Sequence, residues 1–330
     1  MKTLRLSLLL FIAVTLMTGC AQSAAAQNPT PTQAAATAAP SATRTITATP
    51  PPTLTLTPED TSTPIDTPTR TPRPSATVTP LPARDPDDWK NWPIVPEGVS
   101  PAMIVLYREG IANGNLKQRF SKVGDCQNIT TYFLANFDKP GRYTLGDYSS
   151  LQETIDFYSG SFQRESVAVR GGLNVAAVQN SLFTRSKECE KGENSLACEL
   201  RLNTPAVVLV SYEELWDGDT EKFTRHYENM ILYLLEQKTV PILGMTGNNA
   251  AANQIIAELA VKYELPVWNL WAALQPLNRR GIVDGFHLTQ FGDIFDFTGT
   301  PRQLSGWHMR NLTALQAIDA VRRALESAGS

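Results

Sequence analysis

Past about residue 88, apolar positions follow two alternating rhythms: short unbroken runs, and stripes spaced by three or four residues. Ala206-Val-Val-Leu-Val210 is an unbroken, β-branched run and reads as a strand buried on both faces. Val240-Pro-Ile-Leu-Gly244 and Pro266-Val-Trp-Asn-Leu270 read as further strands, Phe120 to Val123 as a short one, and Arg164 to Val169 as a weaker candidate. Between them, Glu221 to Gln237 sets Phe223, Tyr227, Met230, Ile231 and Leu234 on one helical stripe. Ala250 to Tyr263 does the same with Ile255, Ile256 and Leu259. Met103 to Ala112 reads as a helix before the first strand. Asn311 is expected to cap a last helix that turns Leu312, Leu315, Ile318, Val321 and Leu325 inward. This alternation predicts an α/β domain of three layers, α/β/α, around a parallel sheet of about five strands. Sites in such sheets lie at the carboxyl ends of the strands.

The first 88 residues lack these rhythms. Lys2 and Arg5 precede an apolar stretch, Leu6 to Met17, too short to span a bilayer. It runs into Met17-Thr18-Gly19-Cys20, which resembles a bacterial lipobox although Met17 replaces the usual Leu. Residues 1–20 are therefore expected to be a lipoprotein signal, with Cys20 the acylated anchor to a membrane; an ordinary signal peptide cleaved nearby is the alternative. Either way the chain is expected to be exported and extracytoplasmic. Residues 21–88 are rich in Thr, Pro, Ala and Ser and bury too little to offset their ordering entropy. About 60 residues of such extended chain, at ~3.1 Å each, reach at most roughly 190 Å. They are expected to form a disordered stalk, glycosylated or plain, that leaves residues 89–330 as one domain.

Composition removes several functions. The net charge is −3 with no basic block, so nucleic acid is not an expected partner. Three histidines and the cysteine spacings match no zinc pattern, and neither metal nor cofactor is expected. Of four cysteines, Cys20 is assigned to lipidation. Cys189 and Cys198 flank a polar loop and most simply form a disulfide in an oxidising compartment. Cys126 is left as either a nucleophile or a buried inert thiol, and the sequence also allows it to pair with Cys189 or Cys198. A monomer is expected. His226 is expected on a helix surface, and His308 reads as structural. Trp89, Trp92, Trp216, Trp268, Trp271 and Trp307 read mostly as core, with Trp216 and Trp307 nearest the expected site.

Two short motifs carry chemistry. Gly124-Asp125-Cys126 follows the first strand, and Asp284-Gly-Phe-His287 stands near the end. A carboxylate three residues before a histidine can orient its imidazole toward a nucleophile on a tight turn. In this order, on this pattern of elements, the chain resembles the SGNH (GDSL-type) hydrolases over about Phe120 to Ala324. Exported, stalked SGNH-like lipoproteins of bacteria are the nearest likeness, through the wording around Trp268 to Pro276 and Arg310 to Gln316. The resemblance implies a flavodoxin-like fold. It makes Cys126 the nucleophile in place of Ser, with Asp284 and His287 completing the catalytic set. The oxyanion hole would be formed by backbone N–H groups of Cys126 and Gly172, with Gly171 in the same loop. The family's third block, Gly-x-Asn-Asp, is missing: Ser211-Tyr-Glu-Glu-Leu-Trp216 stands there, and no Asn occurs between Asn203 and Asn229. Glu213 or Glu214 is expected to bring a carboxylate toward the developing oxyanion, where loss of one donor already costs on the order of 10²–10³ in rate.

Two functions follow. One is a surface-anchored ester hydrolase of acyl or acetyl esterase type, acting on an ester-bearing polysaccharide or lipid. The other is a non-catalytic module that binds a glycan or cell-wall ligand on the same fold.

Overall fold

The computed structural model describes residues 83–213, 218–300 and 303–329. The expected signal and lipobox with Cys20, most of the expected linker, Glu214 and Trp216 lie outside the described residues. Four parallel strands form one sheet in the order β1-β2-β3-β4: β1 Leu116–Gly124, β2 Pro205–Ser211, β3 Val240–Gly244 and β4 Val267–Trp268. Among the described residues seven α-helices accompany them: α1 Pro101–Ala112, α2 Gln152–Phe157, α3 Ser195–Asn203, α4 Thr220–Glu236, α5 Ala250–Lys262, α6 Leu270–Leu274 and α7 Gly306–Gly329. This is the three-layer α/β arrangement expected, with α1 packed on α7 and α4 on α5. Every residue of β2 and β3 is buried, as their continuous apolar runs require.

Local chemistry sets the helix ends. Ser100 accepts from Met103 N ahead of Pro101 in α1, and Asp219 accepts from Lys222 N ahead of α4. Asn249 and Asn269 cap α5 and α6 in the same way. Cys189 and Cys198 form the expected disulfide. No helix among the described residues is long and apolar enough to cross a membrane.

Three sequence expectations are corrected. Among the described residues the sheet has four strands, close to the five expected, and Arg164–Val169 is not one of them: it contributes only a single parallel bridge from Val169 to Gly124. Ser166 turns that segment by accepting from Ala168 N at 3.1 Å, and Val167 N donates to the Glu199 carboxylate instead of a neighbouring strand. Pro266 to Leu270 is strand only at Val267–Trp268, since Asn269 already caps α6. The last helix begins at Gly306, so Asn311 lies inside it. Its amide instead accepts from Leu134 N at 2.8 Å and donates to Tyr132 O at 3.1 Å, holding a loop in which Leu134 has φ +66°.

Before Asp88, the chain is already tied to the domain. Trp92 Nε1 donates to Asp85 O at 3.0 Å and Gln254 Nε2 to Asp87 Oδ1 at 2.9 Å. Trp89, Trp92 and Trp268 are core residues, and half-buried Trp271 packs edge-on against Trp89.

The strand register lines up Gly124, Ser211, Gly244 and Trp268 in one row at the carboxyl edge. The loops after them carry Asp125 and Cys126, Glu213, Asn248, and Asn269. Gly124 is required by space: a Cβ there would overlap Ser211 O and the Asn128 amide.

Candidate functional site

At the end of β1, Asp125 Oδ1 accepts from Gln127 N at 3.3 Å and opens a single 3-10 turn, Cys126–Asn128. Asn128 Nδ2 fastens that turn to Ser211 O at 2.7 Å. Cys126 lies outside the disulfide and is part-buried. Gly171 lies against it: a Cβ on Gly171 would stand 3.9 Å from Cys126 Cβ. Gly172 has φ +74°, a left-handed conformation that suits glycine, with open space around it.

Asp284 and His287 occupy the tip of a small hairpin. Thr289 N donates to Gly281 O at 2.7 Å, Ile282 bridges Leu288, and Val283 N donates to His287 O at 2.8 Å. Within the tip, Asp284 Oδ1 accepts from Phe286 N at 3.2 Å and His287 N at 2.8 Å. Asp284 Oδ2 is 2.8 Å from His287 Nδ1, and about half of each side chain is exposed. The His287 ring, then the two backbone N–H groups, hold the Asp284 carboxyl well below the usual range. With Nδ1–H directed at the carboxylate, Nε2 is the basic nitrogen.

Two side-chain bonds join this hairpin to the sheet edge: Gln127 Nε2 to Phe286 O at 3.1 Å, and Asn248 Nδ2 to Gly285 O at 2.9 Å. The residue after Cys126 therefore touches the residue before His287. Cys126, Gly171 and the Asp284–His287 pair, far apart in sequence, come to one end of the sheet.

The third block departs from the sequence expectation. Glu213 does not extend toward an oxyanion. Its carboxylate is buried, with Oε1 2.8 Å from Arg310 Nη1 and Oε2 accepting from Gly247 N at 3.1 Å. A buried carboxylate needs such partners, and the only route to them is inward. Arg310, on α7, is completely buried. It donates from Nε to Gln127 O at 3.2 Å, and from Nη2 to Ser211 Oγ at 3.1 Å and Asn128 Oδ1 at 3.3 Å. Its guanidinium lies over the rings of Phe133, 4.6 Å away, and Trp268, 5.1 Å away. Asp125 Oδ2 accepts from Glu213 N at 2.7 Å. Burial, then the nearby Glu213 charge, push Asp125 up to about 7.

Sequence reasoning gave Arg310 no role. The available signal was an arginine near the start of a helix buried on nearly every side, since such a charge requires a partner. Asn248 was also missed. It stands on the turn after β3, in a cleft of about 440 Å³ lined by Glu213, Gly218, Asn248, Asn249, Gly285 and Phe286. A larger cavity of about 690 Å³ lies between the start of α1 and the end of α5, near Arg84 and Trp92, away from this chemistry.

His308 is structural, as expected: it is buried, and its Nδ1 accepts from Ser305 N at 3.0 Å. Burial lowers its pKa. His226 sits half-buried on α4, with its carbonyl accepting from Gln179 Nε2.

No protein-family model matches this sequence, and no curated protein or solved structure matches it.

Proposed function

We propose that this chain is an SGNH-type ester hydrolase in which a thiol replaces the usual hydroxyl. The observation that carries the reading is the bond from Gln127 Nε2 to Phe286 O, which joins the Cys126 turn to the Asp284–His287 hairpin. Glu213 supports it too, because its charge is matched by Arg310 and so does not oppose an oxyanion.

In the reaction, His287 Nε2 takes the Cys126 proton as the sulfur attacks the ester carbonyl. Backbone N–H groups of Cys126 and Gly172 hold the oxyanion. Collapse expels the alcohol, protonated by His287, and leaves a thioester on Cys126. Water, deprotonated by His287, then releases the acid and restores the thiol. Asp284 keeps the imidazole in the required tautomer. On this reading Cys20 anchors the exported chain to a membrane, and a Cys20→Ala chain loses metabolic lipid label.

The test is the Cys126 thiol itself. Its alkylation by iodoacetamide is expected to be fast near pH 7 and slower in His287→Ala. A short aryl ester is expected to be hydrolysed by wild type and not by Cys126→Ala. An inert Cys126 with no ester turnover refutes the reading.

The amide-lined cleft supports a second reading, a binding module. Asn248 and Asn249 beside Phe286 suit a glycan, with polar groups for its hydroxyls and a ring for its apolar face. Glycan binding without turnover separates the two.

A further inference from the structure

The hairpin that carries Asp284 and His287 is exposed at its tip, yet a base in catalysis needs a fixed place. Its foot is tied to the start of α7, where Gly306 N donates to Thr289 Oγ1 at 2.8 Å and Trp307 N to Thr289 O at 3.2 Å. Nearer the tip, exposed Asn248 reaches Gly285 O, whereas Gln127 reaches Phe286 O from inside the domain. Gln127 is only 2% exposed. Its own backbone is held on both sides: its N donates to Asp125 Oδ1 at 3.3 Å, and its O accepts from Nε of the buried Arg310 at 3.2 Å. A fixed, buried residue therefore holds an exposed loop.

The Gln127 amide does little for folding. Phe286 O can only accept, so the bond commits Nε2 and leaves Oε1 to find its own donor. Oε1 is buried and accepts from no protein donor. A buried acceptor without a donor costs at least as much as an ordinary hydrogen bond returns. Phe286 is half-buried on a hairpin tip, where its carbonyl could turn to solvent if the amide were removed. What the bond does secure is the position of the next residue, His287.

We propose that Gln127 is a positioning residue for ester hydrolysis, its side-chain amide fixing the hairpin so that His287 Nε2 stays within reach of the Cys126 thiol. The inference rests on the hydrolase reading and adds a residue that touches no reacting atom and acts only through His287. A misplacement of about 1 Å in such a group costs on the order of 100-fold in rate.

The test is Gln127→Met in the full chain. Met keeps the length of the side chain and both main-chain bonds, and removes the Phe286 bond together with the orphaned acceptor. The urea midpoint is expected to stay at the wild-type value or rise. With a short aryl ester, kcat is expected to fall roughly 10–100-fold and KM to stay unchanged. The pH at which iodoacetamide alkylation of Cys126 reaches half its plateau is expected to rise toward the ordinary thiol value of about 8.5. Gln127→Met/His287→Ala is expected to alkylate at the rate of His287→Ala alone. A reactive Cys126 whose pH profile and kcat are unmoved by Gln127→Met overturns this inference alone. Further slowing in the double variant also overturns it, because the amide would then act on the Cys126 turn and not through His287. An unfolded Gln127→Met, or a midpoint well below wild type, makes the amide structural and overturns it too. A wild-type Cys126 that is inert, with no ester turnover, overturns the hydrolase reading and this inference with it.

Discussion

Asp125 makes a direct test of the buried charge cluster under the Cys126 turn. Two buried carboxylates, Asp125 and Glu213, share one guanidinium, Arg310. Arg310 bonds to Glu213, so the second negative charge is poorly compensated. Burial and the Glu213 charge raise Asp125 from 3.8 to about 7. A raised native pKa means the folded chain binds this proton more tightly than the unfolded one. Its stabilising contribution is complete below about 3.8 and is lost as pH rises through about 7. The shift of roughly three units corresponds to about 4 kcal/mol, near 1.4 kcal/mol per pH unit in the middle of the window.

The raw stability curve mixes in other groups. His226 and His308 have lowered pKa values, and groups of that kind raise stability as pH rises toward 6.5. Asp125→Asn isolates the effect, because the other groups largely cancel in the difference. Asn can accept only one of the two N–H groups, from Glu213 and Gln127, that Asp125 accepts. That subtracts a constant of about 1 kcal/mol. Urea unfolding of both proteins from pH 4 to 8.5, extrapolated to water, gives the difference curve. Wild type minus variant is expected to fall by about 4 kcal/mol between about pH 4 and about pH 8 and then level off. A flat or rising difference would mean that Arg310 keeps Asp125 ionised throughout, and would refute the charge arithmetic.

Three further outcomes are expected. Gly124→Ala forces a Cβ onto Ser211 O and the Asn128 amide, so urea unfolding is expected to show a loss of roughly 1–3 kcal/mol, and Cys126 alkylation to change with it. Arg310→Met leaves Glu213 buried without its partner and is expected to cost about 3–5 kcal/mol, with part of the loss recovered in Arg310→Met/Glu213→Gln; equal losses in the two would count against the ion pair. Cys189→Ser/Cys198→Ser opens a loop between cysteines nine residues apart and is expected to cost roughly 2–3 kcal/mol in thermal or urea unfolding, with no change for wild type arguing against an intact bond.

How much was legible in the sequence depended on the range of the forces involved. β2 and β3 were found where they lie, because both faces of each are buried and their runs are unbroken. Helices α4 and α5 were found for the same kind of reason, since one stripe of each is buried. Arg164–Val169 was misread because its backbone N–H at Val167 is taken by Glu199, a partner 32 residues away that no local pattern signals. Asn311 was read as a cap from local chemistry, while its amide answers to a loop 177 residues earlier. In the site, the Asp284–His287 pair was legible because its contacts span three residues and close within one turn.

The third block shows the same limit at the point where it matters for function. Read locally, a glutamate in place of an oxyanion amide is a hostile charge, and the site looks disabled. The hostility depends on the carboxylate reaching solvent or substrate. Arg310, 97 residues later, removes that condition by pairing with Glu213 inside the domain. The same guanidinium donates to Gln127 O and Asn128 Oδ1, so it also ties α7 to the Cys126 turn. On the proposed reading an oxyanion at Cys126 would depend on backbone N–H groups, and one side-chain amide to test is Asn248 on the loop after β3, already within 2.9 Å of Gly285 O on the hairpin. A measurable esterase rate that falls in Asn248→Ala, with iodoacetamide alkylation of Cys126 unchanged, would mean that this amide supplies an oxyanion donor. An unchanged rate would leave the oxyanion to the backbone of Cys126 and Gly172.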